Sequence, residues 1–356
     1  MASGGRHLLN LVLRDLQYRK RQFAIAIIGA GLVFALALLL TGVRGGFDTE
    51  ATATVEAAGA DGWIVKEGVS GPFTSISVLP TRTAGSVLAD GGVTDAAPFL
   101  ASPNRLRPPG ATENIGVNVI GVEPGALGAP VPDEGEALTA PGQVVVDKRA
   151  DASIGEQVTI GGREYEVVGL LSNRTYFGGI PVAYMTLSDA QELIFDGAPL
   201  ANAIIFTGNL TSPLPGTTVL SDEAVESDMK VGLAGAIGTI DLLRVMMWIV
   251  AAVIIGAVVY LSALERTTDF AVLKAVGSGS WSLAIGLSIQ AILVSLLAAV
   301  LGVIIATALT PGFPAPTSID VWAYVTLFAI AALVGALASL AALRRVLKVD
   351  PARAFG

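Results

Sequence analysis

Four apolar runs, each long enough to cross a bilayer, constrain this chain more than any other feature. A hydrocarbon core of about 30 Å needs about 20 predominantly apolar residues in a helix. Residues 23–43, 242–264, 281–309 and 321–343 all meet that length. Lipid offers no partner for backbone N–H or C=O groups, so each run is expected to be helical. The third is long enough to tilt or to project past the lipid. Residues 44–241, between the first and second runs, have a different character, with 10 Lys or Arg against 25 Asp or Glu. The expected fold class is an α-helical membrane protein with four transmembrane helices and an extracytoplasmic α+β domain between the first and second helices. A chain that is 53% hydrophobic and 15% charged is too apolar for an ordinary soluble protein.

Lys and Arg near the span ends set the orientation. Arg14, Arg19, Lys20 and Arg21 precede the first run, and Arg344, Arg345, Lys348 and Arg353 follow the last. Segments 1–22, 265–280 and 344–356 together carry 11 basic and 4 acidic residues. Both termini and the 265–280 loop are therefore expected in the cytoplasm, with 44–241 outside. The basic start and first apolar run could pass for a signal peptide. A run of 21 residues with no clean small-residue cleavage site after it reads instead as an anchor. Leu8, Leu9, Val12, Leu13 and Leu16 fall on one side of an amphipathic helix, which is expected to lie at the inner membrane surface. His7, the sole histidine, stands at its start and reads as solvated.

Outside the membrane, Gly45-Gly46 is expected to break the first helix, with helical runs at 47–58 and again at 221–240 leading into the second span. The stretch 60–220 reads as mixed α and β. Strand patterns occur at 61–66, 115–122, 143–147 and 203–207. Runs 157–160 and 164–170 flank Gly161-Gly162, a hairpin signal. A short helix is expected at 187–195, started by Ser188 and Asp189. Segments 103–110 and 123–135 read as connections. Pro311, Pro314 and Pro316 stiffen the short loop between the third and fourth runs.

Several chemistries are excluded. No G-x-x-x-x-G-K-[ST] run is present, so the chain has no P-loop for ATP. There is no cysteine and no His/Cys/carboxylate cluster at metal-ligand spacing, so no metal site is expected. No G-x-S-x-G elbow occurs, and one histidine on the cytoplasmic side cannot serve an external triad. No catalytic residue is assigned. So acidic an external domain also argues against a nucleic-acid partner. Its many carboxylates are explained by ordinary solubility.

Residues 265–277, ERTTDFAVLKAVG, remain to be explained. The loop is too short for a domain, yet Phe270, Leu273 and Val276 form an apolar stripe at helical spacing. A stripe with no partner in its own loop reads as a small helix that docks into another protein. The segment resembles the coupling helix of FtsX-like, MacB-type ABC transporter permeases, whose run is close to E-R-x-x-E-x-x-V-L-K-A-L-G. Glu265, Arg266, Val272, Leu273, Lys274, Ala275 and Gly277 match; Asp269 and Val276 replace the more usual Glu and Leu. The run from Gly135 to Leu171 is similar to the family's periplasmic core domain, with Gln143 for Glu and Tyr165 for Phe. Arg345, Asp350, Pro351 and Ala354 match the family's closing pattern.

The resemblance covers the whole chain and implies a domain plan. An elbow helix (1–22) precedes TM1 (23–43), a stalk and MacB-like core (44–241) and an FtsX-like permease domain (242–356). The last contains TM2 (242–264), the coupling helix (265–277), TM3 (281–309), TM4 (321–343) and a tail. It implies a homodimer in a bacterial cytoplasmic (inner) membrane that receives a cytoplasmic ABC ATPase dimer. ATP and Mg would be held there, and no cofactor by this chain. Glu265, Arg266, Asp269 and Lys274 would set register at the ATPase, with Phe270, Leu273 and Val276 buried. The transport mode implied is mechanotransmission, the type VII class. Apolar spans without internal charges fit a cargo taken from the outer leaflet or outer surface. Haem, lipid, peptide or macrolide are candidates, since the compact form is similar to haem-efflux permeases and DevC-like exporters. Phe47, Asp48, Glu50 and Glu56, where the first span leaves the membrane, are the expected substrate contacts. An FtsX-type signalling protein that controls a cell-wall hydrolase is the alternative.

The topology is testable because the chain has no native thiol. With Ser70→Cys and Thr268→Cys made singly, an impermeant maleimide should label position 70 in intact cells and reach 268 only after permeabilisation. Labelling of 268 in intact cells would reverse the orientation.

Overall fold

The computed structural model describes residues 20–265, 272, 280–313 and 315–347. Its α-helices are α1 (Lys20–Ala57), α2 (Thr83–Leu88), α3 (Leu187–Phe195), α4 (Asp222–Glu265), α5 (Ser280–Leu309) and α6 (Val321–Leu347). Two compact units are formed, one from Met1–Gly45 with Ile237–Gly356 and the other from Gly46–Ala236. Four helices are long and apolar enough to cross a membrane: α1, α4, α5 and α6. The chain is a four-span helical membrane protein with a mixed α/β unit between its first and second spans.

The helical unit is built on small residues. Ala30 and Phe34 of α1, Ala251 and Ile255 of α4, Ala291 and Ala298 of α5 and Ala331 of α6 are buried in one cluster. Large side chains such as Ile28, Leu32, Val253 and Leu333 remain exposed, as lipid-facing positions do. In a bilayer, close contact replaces the hydrophobic effect as the force between helices, and small residues permit it. A Cβ on Gly302 of α5 would lie 2.9 Å from the Phe34 Cβ and 3.0 Å from the Gly31 carbonyl oxygen. One on Gly335 of α6 would lie 2.7 Å from the Ile292 Cα. The Ser295 hydroxyl donates to the Ala331 carbonyl at 2.6 Å, a second tie between α5 and α6.

The expected break at Gly45-Gly46 is corrected: α1 runs through both glycines. Gly42 and Gly45 serve packing instead. The Ser318 amide donates to the Gly42 carbonyl at 2.9 Å, and any side chain at Gly45 would collide with the Ser318 carbonyl. Asp241 accepts from both Arg44 (2.6 Å) and Arg244 (3.0 Å), and the Arg244 guanidinium lies 5.6 Å from the Trp248 ring. The charges at these span ends are therefore paired, in line with the cost of leaving them bare near lipid.

The second unit carries an 11-stranded sheet. Its strands are β1 (Gly62–Lys66), β3 (Val93–Arg107), β4 (Ile115–Val122), β5 (Glu134–Gly135), β6 (Gln143–Asp147), β7 (Gln157–Ile160), β8 (Arg163–Leu171), β9 (Thr175–Tyr176), β10 (Ile180–Thr186), β12 (Ala203–Gly208) and β13 (Thr217–Leu220). The main order is β13-β1-β12-β3-β4-β10-β6-β8-β5, with β7 against β3 and β8 and β9 against β10. Pairs β4–β10 and β6–β8 are parallel and the other pairs antiparallel. A separate two-stranded piece joins β2 (Leu79–Pro80) to β11 (Leu200–Ala201).

Strand β3 joins the two halves of the sheet. Its first half pairs with β12, its second with β4, and its last two residues with β7. Segment 103–110, expected as a connection, is strand as far as Arg107. Pro103 is tolerated because it lacks only an N–H, and the flanking residues keep the ladder to β4. The Gly161-Gly162 hairpin forms as expected, both glycines at positive φ (56° and 86°), the type I′ requirement. Helix α3 is capped by Thr186, whose side chain accepts from the Asp189 amide. The true cap thus lies two residues before the expected Ser188.

Packing in the helical unit predicts that Gly335→Leu destabilises it by about 1–3 kcal/mol, the usual cost of overpacking. The readout is the thermal midpoint of the detergent-solubilised chain. A midpoint equal to wild type would show that α5 and α6 do not pack at this point.

Candidate functional site

Helical segments 47–57 and 222–236 carry carboxylates into the interior of the α/β unit. Glu50 is 7% exposed and Asp228 is 3% exposed. Each is satisfied by backbone amides of a loop rather than by an arginine. Glu50 accepts from the amides of Gly178 (2.7 Å) and Gly179 (2.9 Å), in the turn between β9 and β10. Asp228 accepts from the amides of Phe73 (3.4 Å) and Thr74 (3.2 Å) and from the hydroxyls of Ser70 (2.9 Å) and Thr74. Hydrogen bonds to a charged acceptor are about twice as strong as neutral ones, which makes these two loops extensions of the helices.

Further contacts reinforce the grip. Arg174 donates through its guanidinium to the Ala53 carbonyl of α1 at 3.0 Å. Gly71 leaves the space that Asp228 fills, since a Cβ there would overlap the carboxylate. Trp63 Nε1 donates to Asp222 at 2.9 Å. The helical segments are also tied together, by Lys230 with Asp48 (3.1 Å) and by the Thr52 hydroxyl with Glu226 (3.0 Å).

The tethered loops meet at an aromatic cluster. Trp63, Phe73, Phe99, Tyr176 and Phe177 make edge-to-face pairs with ring centroids 4.5–6.0 Å apart. Burial pushes the Tyr176 phenol well above its usual range, and the Asp228 and Glu50 carboxylates add to that shift. Burial likewise raises Tyr184 to about 12, against a lowering by Arg174. Both phenols therefore stay protonated at physiological pH.

The sequence-based site residues fall differently. Phe47 is 7% exposed and packs on Gly178, so it offers no free aromatic face. Glu50 is committed to two amides and Asp48 to Lys230, while Glu56 is exposed. The expected entry site at Phe47, Asp48, Glu50 and Glu56 is thus not an open patch here. Helical periodicity turns Phe47 and Glu50 inward together. Of the expected coupling residues, Glu265 ends α4 and is exposed. Arg266, Asp269, Phe270, Leu273, Lys274 and Val276 lie outside the described residues. Asp228 was missed because a carboxylate on a helix reads as solvated. The one available signal was the Ser-Gly-Pro-Phe-Thr-Ser run at 70–75, rich in groups that need an acceptor.

The chain matches the model of the MacB-like periplasmic core domain over residues 23–212 and that of the FtsX-like permease C-terminal over residues 242–351. An ABC transporter permease of Mycobacterium bovis is 39% identical over 98% of this chain and 99% of its own length. The chain belongs to the MacB/FtsX family of ABC transporter permeases. A more distant relative, a Staphylococcus epidermidis permease named HrtB for a hemin transport system, is 19% identical over 98% of this chain and 99% of its own length. Among solved structures, the periplasmic region of MacB from Actinobacillus actinomycetemcomitans covers 49% of this permease and 95% of its own chain, at 12% identity and a TM-score of 0.35. In this permease residues 46–212 of the α/β unit lie within the MacB-like match, and α5 and α6 lie within the FtsX-like one.

Asp228→Ala would leave the Phe73 and Thr74 donors without the carboxylate and Ser70 with only the Ser75 hydroxyl. It should destabilise the α/β unit by about 1.5–3 kcal/mol, the range for bonds to a charged group. Near-ultraviolet circular dichroism during urea unfolding reads the aromatic cluster. An unchanged midpoint would mean that the loop is held by other contacts.

Proposed function

We propose that this chain is the membrane subunit of an exporter driven by a separate cytoplasmic ABC ATPase, which moves an amphiphilic or hydrophobic cargo from the outer leaflet or outer surface. What carries this reading is the segment 265–277, a docking stripe of Phe270, Leu273 and Val276 with charged edges, in a chain without a P-loop. Two copies of the chain would each present this segment to one ATPase. The basic termini and the 265–280 loop lie in the cytoplasm, and the acidic 44–241 region outside, as the distribution of Lys and Arg requires.

Closure of the ATPases on ATP and Mg draws the two coupling segments together. Helix α4, which ends at Glu265, carries the displacement towards Asp222. Because Asp228 and Glu50 hold loops by charged hydrogen bonds, a shift of α4 against α1 moves those loops with the helices. No hydrophilic pore is required, in keeping with spans that keep their charges at the ends. Haem is one cargo to test, supported by the likeness to HrtB, alongside lipids, peptides and macrolides.

Phe270→Ala tests the coupling. Loss of a buried aromatic anchor should cost on the order of 2 kcal/mol of docking energy. Permease-stimulated ATP hydrolysis and transport should fall while membrane insertion stays normal. Wild-type stimulation in this variant would remove segment 265–277 from the mechanism.

A further inference from the structure

One face of β3 joins two cavities of the α/β unit. In register, Pro103 pairs with Asn118, Arg105 with Gly116 and Arg107 with Thr159. Side chains alternate along a strand, so Ala101, Pro103, Arg105 and Arg107 share that face. Pro103 lines both cavities.

The inner cavity, about 10 Å³, is bounded by Phe73, Tyr176, Phe177 and Asn118. Asn118 is 4% exposed and Tyr176 3% exposed, and Asn118 Nδ2 and the Tyr176 hydroxyl are both without a hydrogen-bond partner. Two orphaned buried donors beside one cavity call for an acceptor oxygen, because each costs about 1–3 kcal/mol unpaired. The space as it stands suits about one water molecule.

The outer cavity is a groove of about 420 Å³ lined by Arg105, Arg107, Asn114 and Thr159. Arg107 Nη2 donates to the Thr159 hydroxyl at 3.2 Å, which aims the guanidinium along the groove. Neither arginine forms an ion pair among the described residues. Glu164, opposite Thr159 in register, brings one carboxylate to the same face. Residues 46–236 hold 24 acidic and 9 basic side chains, so two arginines side by side without an ion pair run against the charge of the whole unit.

The cover of the inner cavity is the pair of tethered loops. Phe73 belongs to the loop held by Asp228, and Phe177 to the turn held by Glu50. Phe177 has a φ of 47°, unusual for a bulky residue, and is followed by Gly178 and Gly179 at 86° and 101°. Conformations of this kind persist only where the surroundings impose them. Here the imposing contacts are the Glu50 carboxylate and Gly232 of α4, where a Cβ would stand 2.8 Å from the Phe177 ring.

We propose that this face of β3 binds an anionic amphiphile. Its carboxylate or phosphate sits on Arg105 and Arg107, and its apolar, planar part enters between Phe73, Tyr176 and Phe177 when the loops part. An oxygen on that part accepts from Asn118 Nδ2 and the Tyr176 hydroxyl. The span from Pro103 to Arg107 is about 13 Å, which sets the length of the ligand. Glu50 and Asp228 hold the site closed, so movement of their helices opens it. This deepens the export reading by naming the cargo class and rests on it for the origin of the ligand; binding itself does not depend on the ATPase.

The test uses the full chain in lipid nanodiscs with Pro103→Cys as its single thiol. Maleimide labelling at 103 is followed against 2-naphthoate, 2-naphthyl phosphate and the neutral 2-naphthalenemethanol. Both anions, or one of them, should slow labelling at concentrations where the alcohol does not, and which one acts separates carboxylate from phosphate. Arg105→Ala with Arg107→Ala should weaken protection at least tenfold. Glu50→Ala should strengthen it several-fold, because a closed site lowers apparent affinity by the fraction that is open. Glu50→Gln, which keeps the side chain's size but loses its charge, serves as the second opening variant if Glu50→Ala does not fold. Equal protection by the alcohol, protection that survives loss of both arginines, or no protection even in the opened variant would overturn the site and leave a buried water only. Permease-stimulated ATP hydrolysis, measured in the Pro103→Cys chain without probe, reports the export reading separately.

Discussion

A carboxylate buried without an arginine must find amide and hydroxyl donors, and this requirement organises the α/β unit. Removing such a charge from water costs several kcal/mol unless it is paired or well hydrogen-bonded. Glu50 and Asp228 meet that condition by drawing in backbone from the 178–179 turn and the 70–74 loop. Asp147, fully buried, follows the same rule with the amides of Arg149 (2.9 Å) and Arg174 (2.6 Å). These bonds position the aromatic cluster, because Phe73, Tyr176 and Phe177 sit in or beside the loops so held. They also tie each loop to its helix.

The helical unit solves a different problem. Lipid tails compete equally for apolar side chains, so contact area at short range decides helix association. Gly31, Gly302 and Gly335 let backbones approach, and Asp241 pairs with both arginines at the span ends. The two units thus use opposite chemistries: van der Waals contact of small residues in one, and charged hydrogen bonds around a mixed sheet in the other.

Much of this was legible in the residues alone. Length and hydropathy specify the four long helices, and turn chemistry specifies the Gly161-Gly162 hairpin. Strands β4, β6 and β7 and helix α3 coincide with their patterned runs, because period and local turn signals are properties of neighbouring residues. Tertiary contacts overrode local signals where a partner far along the chain changed the balance. Gly45-Gly46 reads as a helix break until Ser318 fills the space beside it. Pro103 reads as loop until β4 pairs with the residues around it.

The sequence by itself determined that this protein enters a membrane four times and that its large loop is acidic and separately folded. Each of these follows from composition and spacing, which no fold can alter. Only the tertiary structure decided which acids are solvent-facing and which are structural. Asp48 and Glu50 lie two positions apart on one helix, yet one pairs with Lys230 at the edge and the other is sealed against Gly178 and Gly179. The difference is one of helical phase and of loops brought from more than a hundred residues away, information that no local reading of the chain contains.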